Sequence, residues 1–221
     1  MIQQKNVLNK GFVRLLNTMG DDYTIVESAR ISYGGSKKTP EQDEKLIRYL
    51  MKNNHTSPFE MVDFRFHIKL PIFIMRQLVR HRTANINEYS ARYSILNNDY
   101  YVPKTIRKQS SKNKQCSELD SKIELNTFSV YEIQQLCEQA YTLYTSLLNR
   151  GASREISRMV LPVNFYTEVI WKNDLSNILK FLNLRNHDHS QIEMQLYAKA
   201  IEELITPIVP VTMKTYHDLA K

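Results

Sequence analysis

Val62-Asp63-Phe64-Arg65-Phe66-His67-Ile68-Lys69-Leu70 alternates apolar and polar side chains with a period of two. Successive side chains of a strand point to opposite faces, so the run reads as a strand with one buried and one polar face. His67 shares the polar face with Arg65 and Lys69, which suits a surface residue better than a ligand. Pro71 then opens a helix, since its fixed φ and missing N–H fit a first turn. Ile72, Met75, Leu78 and Val79 form the apolar stripe of that helix, and Arg76, Gln77, Arg80, His81 and Arg82 lie toward its C-terminal end.

Upstream, Asp21 to Ser32 places Ile25, Val26, Ala29 and Ser32 on nearly one helical face, and Tyr33-Gly34-Gly35-Ser36 ends it. Thr39-Pro40-Glu41-Gln42 starts a second helix, with Thr39 as N-cap and Gln42 at the capping-box position, running to about Asn53. Downstream, Lys104 to Lys122 is polar and lysine-rich with little periodicity, and reads as a surface excursion. Helices follow at Ser129 to Asn149, Gly151 to Leu161, Asp174 to Leu184 and Ser190 to Ile205, with Pro207 as a stop. The pattern predicts a helix-rich α+β fold and one domain over residues 1–221.

The composition is that of a globular protein, 42% hydrophobic and 24% charged. A formal net charge of +7 favours anionic partners without choosing among them. Only five glycines are present, and no glycine-rich phosphate loop can be found. Any nucleotide must therefore be held by side chains and helix ends. Cys116 and Cys137 have neither metal-ligand spacing nor a disulfide framework, and Cys137 lies in an apolar helical pattern. The first residues lack the apolar run of a signal peptide, and no stretch approaches the ~20 apolar residues of a membrane span. A cytoplasmic setting is expected.

The densest chemistry lies in Arg76 to Ser94, RQLVRHRTANINEYSARYS. Arg76, Arg80, Arg82 and Arg92 fall within seventeen residues. Guanidinium groups present planar donor pairs that match phosphate oxygens. A solvated basic surface is the plain alternative, but Asn85, Asn87 and Glu88 continue the segment and have no role on such a face. A broad nucleic-acid groove would scatter its basic residues; these are concentrated, with acids and amides between them. His187, Asp188 and His189 are too sparse for a metal site.

Arg80-His81-Arg82, seven residues, then Ser90 resembles the signature of the FAD-dependent thymidylate synthases, the ThyX family. The surrounding Asn87-Glu88-Tyr89-Ser90-Ala91-Arg92-Tyr93 matches as well. So do Ala29-Arg30-Ile31-Ser32, His55-Thr56-Ser57-Pro58-Phe59-Glu60, Arg154-Glu155-Ile156-Ser157-Arg158 through Leu161-Pro162, and Phe181-Leu182-Asn183-Leu184-Arg185 followed by His189. The resemblance runs from about residue 25 to 205.

It implies an α/β fold with a helix-flanked mixed sheet, and a homotetramer with shared active sites. It implies reductive methylation of dUMP to dTMP, with methylenetetrahydrofolate as carbon donor, NADPH as reductant and FAD as cofactor. By the same resemblance dUMP contacts Gln77, Glu88, Ser90, Arg92, Arg158 and Arg185, with Arg185 at the pyrimidine. FAD contacts Ser32, Ser57, Glu60, Arg80, His81, Arg82, Glu88 and His189. The catalytic set is Arg185, His55 and Ser90, with His55 near the flavin ring and Ser90 as a ligand contact rather than a nucleophile. No metal, nucleic acid or membrane enters the reaction. Met61, Asp174, Ser176 and Lys180 depart from the family pattern.

Overall fold

The computed structural model describes residues 3–32, 34–35, 39–118 and 126–219, with the side chains of 126 and 127 left out. Tyr33 and Ser36 of the expected turn, and residues 119–122 of the expected excursion, lie outside the described residues. The chain opens with a hairpin, β1 (Gln3–Val7) and β2 (Gly11–Met19), followed by α1 (Asp22–Ile31) and α2 (Pro40–Lys52). β3 (Asp63–Pro71) runs straight into α3 (Ile72–Leu78), and β4 (Asn85–Glu88) follows. A small hairpin, β5 (Lys108–Gln109) and β6 (Ser117–Glu118), precedes the long α4 (Asn126–Asn149) and the short α5 (Arg154–Ser157). β7 (Tyr166–Asp174), α6 (Leu175–Arg185), α7 (Ile192–Ile205) and α8 (Pro210–Leu219) complete the order.

Five strands form one sheet in the order β1-β2-β3-β7-β4. The resemblance implies a mixed sheet; the four pairings described here all run antiparallel. The register shows why. Met19, at the end of β2, pairs with Asp63, at the start of β3, so α1 and α2 return the chain to the end it left. A single crossover helix would have carried it to the other end and made the pair parallel.

Alternation decides which face is covered. Phe64, Phe66, Ile68 and Leu70 of β3, with Val169 and Trp171 of β7, are buried against Ile25, Ile47, Ile74, Phe181, Tyr197 and Ile201 from the helices. The opposite face is polar, and there His67 Nε2 meets Glu168 Oε2 at 2.7 Å. Phe64, Phe66, Trp171 and Phe181 form a run of ring contacts with centroids 6.2, 5.9 and 5.4 Å apart. Each such ring contributes roughly 1.5–3 kcal/mol when buried. The run fixes α6 against β7, and α6 carries Arg185 at its C-terminal end. α4 packs on a satellite cluster of buried Cys137, Ala140, Tyr144 and Phe165.

Two helices are shorter than their periodicity suggests. α3 stops at Leu78, so Arg80, His81 and Arg82 sit in the following turn and Arg80 does not share a helical face with Arg76. Pairing of Asn85 with Lys172 draws the chain out of the helix and into the sheet. The helix expected at 151–161 divides into α5 and a 3₁₀ turn at Arg158–Val160. Pro162 disfavours helical backbone at Leu161, which is extended.

Candidate active site

Glu88, at the end of β4, and Ser90, two residues on, line a cavity of about 320 Å³ together with Arg158 from the 3₁₀ turn. Ile72, Leu161 and Tyr166 supply apolar wall. Thr167 Oγ1 donates to Glu88 Oε1 at 2.9 Å and orients the carboxylate. Ser90 Oγ accepts from the backbone N–H of Arg92 at 3.3 Å, which fixes a tight turn. Arg92 extends to Glu155 at 3.2 Å on the surface. The structure thus brings Glu88, Ser90 and Arg158 around one cavity, whereas Gln77, Arg92 and Arg185 of the same expected set are not among its walls. Thr167 escaped the sequence reading, because a threonine in a strand carries no chemical signal.

A second constellation lies where α3 and α6 end. Arg185 Nε donates to His81 Nε2 at 3.0 Å, and its Nη2 reaches the Gln77 carbonyl at 3.4 Å. Burial and the neighbouring Arg185 charge push the His81 imidazole down to about 4. His81 is thus a neutral acceptor at physiological pH. Arg185 itself is pulled below its ordinary value by burial and by Arg80. Among the described residues neither Arg80 nor Arg82 has a carboxylate partner. Unpaired guanidiniums suit an anionic group such as a pyrophosphate. Gln77 Nε2 donates to Gln191 Oε1 at 2.6 Å, a partner with no motif of its own.

His55 lines a different cavity, of about 180 Å³, with Asn54, Ser176, Lys180 and Asn183. Two of the departures from the family pattern thus share a wall with His55. Asn54 closes α2 at a positive φ of 54°, a conformation asparagine tolerates better than most residues. Glu60 lies exposed on the adjoining 3₁₀ turn (Phe59–Met61) and Ser57 exposed just before it, and Ser32 lies exposed at the end of α1; the described contacts do not join them to the Arg158 cavity.

His189 lies in the turn before α7, its ring 4.9 Å from that of His187. Cys116 Sγ approaches its Nδ1 at 3.7 Å, although Cys116 falls outside every matched segment. Glu193, in the first turn of α7, pairs with Arg107 at 2.7 Å. Arg107 reaches Glu193 because the excursion folds back onto α7.

The model of a family described as thymidylate synthase complementing protein matches residues 14–211. A flavin-dependent thymidylate synthase of Thermus thermophilus is 49% identical over 215 residues, which cover 96% of this chain and 77% of that protein. One from Kosmotoga olearia is 46% identical over 214 residues, covering 97% and 93%. A crystal structure of the UMP/dUMP methylase PolB from Streptomyces cacaoi, bound with 5-Br dUMP, superposes with a TM-score of 0.87 at 29% identity over 97% of both chains. With a family model spanning most of its length and close relatives of one kind, the chain belongs to the thymidylate synthase complementing protein family, the family of the flavin-dependent thymidylate synthases.

Proposed function

We propose that this enzyme converts dUMP to dTMP, with dUMP seated in the cavity of Glu88, Ser90 and Arg158. The observation that carries the reading is that cavity: a guanidinium, a carboxylate and a hydroxyl around space for a nucleotide, with apolar wall beside them. Arg158 and Arg92 hold the phosphate dianion by charge-assisted hydrogen bonds. Ser90 is a ligand contact. Among the described residues its Oγ meets no histidine, and a serine nucleophile needs a base.

Arg80 and Arg82 fit an FAD pyrophosphate, with His81, His189, Glu88, Ser32, Ser57 and Glu60 as further contacts. Bound there, FAD would pass hydride from NADPH to the reductive methylation for which methylenetetrahydrofolate gives the carbon. Arg185 stands at the pyrimidine with Gln77, and neutral His81 orients its guanidinium without neutralising it. Negative charge developing on a uracil oxygen then meets a fixed donor pair. His55 lies near the flavin ring. One domain over 1–221 is supported by a core that runs from Val7 to Met213. A cytoplasmic homotetramer completes the reading. Among the described residues no helix is long and apolar enough to cross a membrane.

Anaerobic incubation with dUMP, methylenetetrahydrofolate, NADPH and FAD should yield dTMP and tetrahydrofolate. Formation of dihydrofolate in its place, or of no dTMP, would refute the reading.

A further inference from the structure

The excursion after Lys104 is anchored at a point where anchoring is energetically strong. Arg107 Nη2 lies 2.7 and 2.9 Å from the two carboxylate oxygens of Glu193, and Glu193 is only 2% exposed. Tyr101 Oη donates to the same carboxylate at 3.0 Å. A buried carboxylate left without its cation is strongly destabilising, so Glu193 holds Arg107 in place. Arg107 Nε also donates to Ser117 Oγ at 2.9 Å, which ties the guanidinium to β6. The next residue back, Cys116, touches His189 at Nδ1 and at its carbonyl, 3.7 and 3.6 Å away.

These contacts converge on one short turn. Glu193 lies in the first turn of α7, two residues after Gln191, which accepts from Gln77, and four after His189. Arg107 thus holds the hairpin against the first turn of α7, and Cys116 of the same hairpin meets His189 in the turn just before it. Bonds from Ser190 N–H to the His187 carbonyl at 2.8 Å and from Gln195 to the Ser190 carbonyl at 2.6 Å hold the turn's backbone, and the hairpin adds the contact at His189, lowering the entropic cost of ordering that side chain on binding.

We propose that Arg107, acting through Glu193, is a positioning residue for flavin binding, and that the β5–β6 hairpin is a clamp that holds His189 in its binding orientation. The inference rests on the reading that His189 contacts FAD. The hairpin touches no reacting group; it removes conformational freedom from the turn that does.

The test compares Arg107→Ala, Arg107→Lys and His189→Ala in the full chain. FAD affinity is read by quenching of flavin fluorescence, dUMP affinity by calorimetry, and stability by thermal melting. Arg107→Ala should weaken FAD at least tenfold while dUMP affinity changes less than twofold, and Arg107→Lys, which can return one charge-assisted bond, should recover part of the loss. FAD affinity within twofold of the parent in Arg107→Ala would overturn the clamp. Equal losses of FAD and dUMP binding would overturn it too, since they mark a general structural role. If Arg107→Ala does not fold, Arg107→Lys carries the decision by the same ratio of affinities. Unchanged FAD affinity in His189→Ala would instead strike the reading on which the clamp rests.

Discussion

The Arg185 to His81 contact joins two residues of opposite temperament. Arg185 keeps its charge although burial and Arg80 oppose it. His81 gives up its proton for the same reasons, burial first and then Arg185. Arg185→Ala should leave a folded protein that binds flavin, with dTMP formation lowered about a hundredfold or more, the loss typical of one preorganised donor. Steady-state kinetics with near-normal kcat would remove Arg185 from the reaction. The histidine sets a pH dependence. Folded His81 titrates at about 4, against 6.5 when unperturbed. Between those values the unfolded chain takes up a proton that the folded chain refuses, so stability falls as pH drops from 6.5 toward 4. Melting curves at pH 7 and pH 4.5 should show this loss, and a His81→Gln variant should lose less. Cys137 is buried, and burial pushes its thiol above the usual value, so it stays protonated. Cys137→Ala should keep dTMP formation, at some expense in melting temperature from the cavity left behind.

Individual elements place these groups, and their ends were the readable part. Asp174 caps α6 by accepting from the Asn177 backbone N–H at 2.9 Å and its side-chain amide at 2.7 Å. Asp174→Ala removes the cap at the opposite end from Arg185. It should cost about 1 kcal/mol, equivalent to roughly 2–4 °C in a melting curve for a chain of this size. The strand at 62–70 and the capped starts at Asp21, Thr39 and Asp174 were legible because each rests on local chemistry. β4 was not. Asn85-Ile86-Asn87-Glu88 has no alternation, all four residues are exposed, and only pairing with β7 makes them a strand. β7 hid for a different reason: Thr167 and Asn173 occupy buried positions, so its inward face does not read as apolar. The β1–β2 hairpin joins α7 through Gly11, where a Cβ would lie 2.1 Å from Tyr197 Oη and 2.8 Å from the Lys69 carbonyl that this hydroxyl bonds. Gly11→Ala should destabilise by at least about 2 kcal/mol, measured by chemical denaturation.

Across the whole molecule, the candidate site divides by how its parts are brought together. Glu88 and Ser90 are sequence neighbours, so their common pocket is written in one short stretch. Arg158 joins them from seventy residues away, and only the resemblance placed it there. Thr167, Gln191, Tyr101 and Arg107 were invisible because their partners, Glu88, Gln77 and Glu193, meet them through folding alone. Close in sequence to Ser90 and Arg158, apolar side chains also stand in the open: Tyr93 is 84% exposed, Met159 74% and Ile156 55%. Such a patch suits burial by another subunit. Light scattering should find a tetramer, and Met159→Glu should weaken assembly and dTMP formation together while the subunit stays folded. An active monomer would contradict that assembly.

The unneutralised cations around Arg185 have a consequence for anyone handling the protein. Arg80 and Arg185 repel each other, and among the described residues neither forms an ion pair with a carboxylate. An incoming anion therefore relieves an existing stress as well as forming new bonds. Dissolved salts do the same, without specificity. Phosphate or sulfate in a storage buffer would thus raise the melting temperature of the empty protein while competing with its own ligands, and nucleotide affinity measured at low ionic strength would overstate the value at 0.15 M, where mobile ions screen charges over about 8 Å.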